Sequence, residues 1–86
     1  MSTLSDEASV RAMAARNRVA VNVVPHGKAV RWWSVSENGC EAMAAGRPLI
    51  DRRGDVATVR AGWEAVARAL DEVFGCYRGV YRGTPR

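Results

Sequence analysis

Arg18-Val19-Ala20-Val21-Asn22-Val23-Val24, Pro25-His26-Gly27-Lys28 and Ala29-Val30-Arg31-Trp32-Trp33-Ser34-Val35-Ser36 follow one another without a break. The outer two runs are rich in β-branched and aromatic residues, which suit a pleated, half-buried surface better than a helix. The four residues between them are turn formers, so the whole stretch predicts a β-hairpin. With His26-Gly27 as the tip, Val24 faces Ala29, Val23 faces Val30, Val21 faces Trp32 and Ala20 faces Trp33. Alternation along each strand then puts Val19, Val21, Val23, Val30 and Trp32 on one face. Arg18, Asn22, Arg31 and Trp33 fall on the other.

An apolar sheet face needs a partner layer, and the sequence supplies one downstream. Val56, Val59, Trp63, Val66, Ala67, Leu70, Val73 and Phe74 recur at intervals of three and four, with Asp55 as the expected N-cap and Gly75 as the stop. This predicts an amphipathic helix of about five turns. Arg60, Glu64, Arg68 and Glu72 are spaced by four on its opposite side, as on a solvated helix face. Between hairpin and helix, Glu37-Asn38-Gly39 reads as a second turn leading into a third strand over Cys40 to Ala45, with a loop of either two or three residues. Gly46-Arg47-Pro48 and Arg52-Arg53-Gly54 read as loop, with Leu49 and Ile50 between them as a brief strand end.

At the N-terminus, Ser5 as cap, acidic Asp6 and Glu7, and Val10, Met13 and Ala14 at helical spacing predict a short helix over 5–17, either docked at the periphery or left as a mobile arm. Residues 76–86 contain Tyr-Arg-Gly twice with no acid, and read as a frayed terminus or a last edge strand. The expected class is α+β: a three-stranded antiparallel sheet, four-stranded if the tail pairs, packed on one long helix, with a short N-terminal helix. As a single domain over 1–86 it divides into a helical arm (1–17), a β-β-β-α core (18–75) and a basic tail (76–86).

Val23-Val24-Pro25-His26-Gly27, then Trp33-Ser34-Val35, Asn38-Gly39 and an alanine-rich helix resemble a family of small bacterial domains of unknown function typified by a V-V-P-H-G turn and a W-x-V strand. The outline is also similar to the YegP-like domains. The resemblance spans about residues 19–74 and implies a three-stranded antiparallel sheet with one helix on it. It implies no catalytic residue.

An 86-residue chain buries roughly 60 to 65% of its unfolded surface, which leaves little room for a walled-off active site. His26 is the sole histidine, at a hairpin tip with no nucleophile beside it. His26, Cys40 and Cys76 lack metal-ligand spacing, and neither a phosphate-cradling nor a dinucleotide-binding glycine motif occurs. No enzyme, cofactor or metal is therefore expected. The acidic start is unlike a secretion signal and no apolar run approaches the length of a membrane span, so the expectation is a cytoplasmic chain with Cys40 and Cys76 as reduced packing residues.

Binding remains. Basic residues outnumber acidic ones 13 to 9, and all but Lys28 are arginine. One candidate surface is the second sheet face with Arg31 and Trp33, of the composition common at binding hot spots; the alternative is that the N-terminal helix covers that face and makes Trp33 core. The other is an arginine set, Arg47, Arg52, Arg53, Arg78, Arg82 and Arg86, interleaved with Tyr77 and Tyr81, able to stack bases and contact phosphates, or else a solvated basic rim. In general character the chain is like small phage-encoded inhibitors such as anti-CRISPR proteins. The expected partner is a protein or nucleoprotein complex, with direct nucleic-acid binding as the alternative and homodimerisation through an open sheet edge as a further option.

Overall fold

The hairpin forms as β1 (Val19–His26) and β2 (Ala29–Ser36), paired antiparallel. Its tip is Gly27-Lys28 rather than His26-Gly27, so Val23 faces Trp32, Asn22 faces Trp33 and Val24 faces Arg31. The reason is conformational: Gly27 takes a left-handed φ of +65° at the first position of a two-residue turn, where a side chain would be strained. The register differs from the expected one by two residues, one full period of strand alternation. Every face assignment within the strands therefore survives.

The computed structural model describes residues 6–75. Within them the order is α1 (Glu7–Arg16), β1, β2, α2 (Gly39–Ala44), β3 (Asp51–Val56) and α3 (Val59–Phe74). The class is α+β, with a three-stranded antiparallel sheet in the order β1-β2-β3 and the long helix packed on it. The expected third strand over Cys40 to Ala45 is instead helix α2, and the reason lies in its composition. Alanine and glutamate favour helix, and Asn38 adopts a left-handed φ of +51° at its start instead of turning a hairpin. Cys40 on this helix is exposed, not packed.

The third strand comes from the segment expected to be loop and helix cap. Asp51-Arg52-Arg53-Gly54-Asp55-Val56 pairs with β2, with Trp33 opposite Arg53 and Trp32 opposite Gly54. An edge strand with a solvated side tolerates charge at alternate positions, so it carries no apolar signature. Helix α3 accordingly starts later than expected. Thr58, not Asp55, is its N-cap, accepting the Ala61 N–H at 3.0 Å, and Val59 on the first turn is exposed.

The core lies between the sheet and α3. Val19, Val23 and Val30 meet Trp63, Val66, Ala67 and Leu70, with Trp32, Val21 and Val56 at the margins. The helix comes closest at Gly62, where a Cβ would stand 2.5 Å from the Val23 Cγ1. Here close approach favours glycine, since a Cβ would force the Val23 side chain of β1 to move. Helix α1, capped by Asp6 rather than Ser5, contributes Val10, Met13 and Ala14 to this same core. The Arg11 guanidinium sits 4.8 Å from the Trp63 ring centre and donates to Asn22 Oδ1 at 3.1 Å. Both long helices therefore share one side of the sheet. The shortest dimension of the molecule is 17 Å, enough for two layers spaced about 10 Å apart.

Candidate functional site: the uncovered sheet face

With α1 and α3 packed on one side, the other side is reached by α1 only through Arg11, which bonds Asn22 at the β1 edge. Reading the register across the strands, three rows occupy the uncovered face: Val24-Arg31-Asp55, Asn22-Trp33-Arg53 and Ala20-Val35-Asp51. Trp33 is at the centre, half-buried by its neighbours, and so are Val24 and Val35. Arg31, Trp33, Arg53, Gly54 and Asp55 line a shallow depression of about 360 Å³. The expectation that the N-terminal helix covers this face is overturned by the burial of Val10 and Met13 beside Trp63 on the far side.

The charges on this face are paired. Arg31 donates to Asp55 through Nε at 3.0 Å, and Arg53 donates to Asp51 through Nη2 at 2.6 Å. Both pairs are exposed and individually weak. The hydrogen bond and positive charge of Arg31 hold the Asp55 carboxyl below its usual value of 3.8. Two guanidiniums against two carboxylates leave the described face close to neutral, with an indole at its centre. Strand period exposes what the sequence reading missed: Asp51, Arg53 and Asp55 alternate onto one face once the segment is recognised as β3.

The second predicted surface divides. Arg52, next to Arg53 on a strand, points to the helix side and donates to Glu72 of α3 at 2.6 Å. This bond also takes Glu72 out of the expected Arg60-Glu64-Arg68-Glu72 ladder, of which Arg60–Glu64 persists at 3.6 Å. Arg47, after α2, is half-buried, and one guanidinium nitrogen is enclosed. Arg18 lies before β1 with a left-handed φ of +59°, outside the strand alternation used to assign its face, and its guanidinium is 4.0 Å from Glu41. Of the binding residues inferred from sequence, Arg31, Trp33 and Arg53 come together; Arg47 and Arg52 do not join them. Tyr77, Arg78, Tyr81, Arg82 and Arg86, with Cys76, lie outside the described residues.

His26 ends β1 and is exposed. Among the described residues no three His, Cys, Asp or Glu side chains form a group able to hold a metal, and no helix is long and apolar enough to cross a membrane. Comparison with protein-family models, curated proteins and solved structures gives no match, so the resemblance seen at the first hairpin stands on those residues alone.

Proposed function

We propose that the chain is a non-enzymatic binding protein that docks the uncovered sheet face, centred on Trp33, onto a protein surface. In its fuller form the reading is of a cytoplasmic, phage-type inhibitor that binds a protein component of a host defence nucleoprotein complex, as anti-CRISPR proteins do. The observation that carries the docking reading is an indole flanked by two ion pairs on a face opposite both long helices. Aromatic anchors ringed by polar groups dominate binding energy at protein interfaces. A near-neutral rim favours a protein over a polyanion, because each arginine already has a carboxylate partner that a phosphate would have to displace.

The test is capture of a partner from nuclease-treated host lysate on the immobilised chain, followed by titration of the purified partner. Saturation at 1:1 is expected. Trp33→Ala should weaken binding by about thirtyfold or more, the scale of a hot-spot residue. Arg52→Ala, one position from Arg53 but committed to the opposite side, should leave it unchanged. Capture abolished by nuclease, together with oligonucleotide binding that falls steeply between about 50 and 200 mM salt, would replace this reading with direct nucleic-acid binding.

A further inference from the structure

The two edges of the sheet are built differently. In β1, Glu37 donates to the Arg18 carbonyl at 3.0 Å, which sets the phase of the ladder. Val19, Val21, Val23 and Pro25 therefore turn their backbone polar groups away from β2. Pairing at that edge is interrupted at two of the four: Asn22 Oδ1 takes the Val23 N–H at 2.9 Å, and Pro25 has no N–H to offer. In β3, Ser36 donates to the Ile50 carbonyl at 2.9 Å, so Asp51, Arg53 and Asp55 present theirs to the open edge. Among the described residues no strand pairs with that edge and no proline interrupts it.

We infer that β3 pairs with β3 of a second copy, antiparallel about a two-fold axis through Gly54, joining two sheets into one of six strands. Charge and strand length decide the register, since a centre at Val56, the last residue of β3, would leave all the rest of the strand without a strand partner. A two-fold axis normal to the sheet pairs each residue with one of the same face, and the central residue with itself. Centred on Asp51, Arg52, Arg53 or Asp55, the pairing opposes like charges at the axis, which destabilises a sheet. Centred on Gly54 it opposes two glycines, sets each Arg53 against Asp55 of the other copy, and leaves Arg52 facing an uncharged Val56.

The environment of Gly54 fits the same centre. A Cβ there would lie 3.1 Å from Trp32 Nε1, so the indole of β2 already lies across the glycine toward the edge. Pairing about Gly54 brings the two Trp32 rings to the axis on the helix side. On the other side it makes one continuous face with two Trp33 anchors.

Sedimentation equilibrium of the full chain, over a concentration series, is the test. The unmodified chain should form a dimer. Arg53→Asp alone and Asp55→Arg alone should each weaken it by about tenfold or more, because each sets like charges opposite one another at two symmetric places. An equimolar mixture of these two variants should recover association as a heterodimer, since the two carboxylates of one face the two guanidiniums of the other. If either variant loses its circular dichroism, Arg53→Pro takes its place as the edge-blocking change, because the N–H it removes points away from β2; it should be folded and monomeric. A monomeric unmodified chain, undiminished association in the single variants or in Arg53→Pro, or a mixture of folded variants that stays monomeric overturns the proposal.

Discussion

At Gly62 two preferences oppose each other: alanine suits a helix interior better by about 1 kcal/mol, but its Cβ would come 2.5 Å from Val23. Steric overlap should win. Gly62→Ala is expected to destabilise the fold by about 1 to 3 kcal/mol, read from urea denaturation. Ser34 is the reverse case. Its hydroxyl is fully buried beneath α3 with no hydrogen-bond partner, so Ser34→Ala should raise stability by about 1 kcal/mol in the same assay. On the open face, Asp55 titrates below its usual value because Arg31 binds its charged form. A carboxyl group whose pKa folding lowers contributes stability above its unfolded pKa and loses it as pH falls through the folded one. The Arg31–Asp55 contribution is therefore complete at neutral pH and lost in acid below the ordinary carboxylate range. An NMR titration of the Asp55 side chain should show the lowered value, and Arg31→Gln should return it toward normal.

The elements differ in how plainly their residues announce them. β1 and β2 were readable because Val, Trp and a Gly-containing turn leave few alternatives, and α3 because Trp63, Val66 and Leu70 keep helical period over a buried face. The segment between them was not. Asn38-Gly39 has the composition of a hairpin tip, yet a left-handed Asn38 opens α2. In β3, Arg52 and Arg53 look alike in composition and differ only in direction, one bonded to Glu72 and one flanking Trp33. That difference depends on knowing that the segment is a strand, which is set by pairing with β2 and not by local propensity. The same error placed the α3 cap at Asp55 and hid the two carboxylates that neutralise the face. Thr58→Ala should cost about 1 kcal/mol through loss of the bond to the Ala61 N–H, whereas Asp55→Ala should leave the helix start unaffected.

For the whole molecule, stacking α1 and α3 on one side of a three-stranded sheet leaves Trp33 and its neighbours in a shallow depression on the opposite side. A basic chain would be expected to use its arginines on acidic partners, but Arg31 and Arg53 are answered in place by Asp55 and Asp51. What distinguishes the face is Trp33, with Val24 and Val35 beside it. Everything proposed about binding requires that these side chains meet solvent in the free protein. NMR with a soluble paramagnetic gadolinium chelate, read on the indole and methyl signals of the 86-residue chain, measures this directly. The Trp33 indole and the methyls of Val24 and Val35 should broaden strongly, while Trp63, Val66 and Leu70 should not. Protection of Trp33, Val24 and Val35 equal to that of Leu70 would mean the face is covered, and would contradict the account.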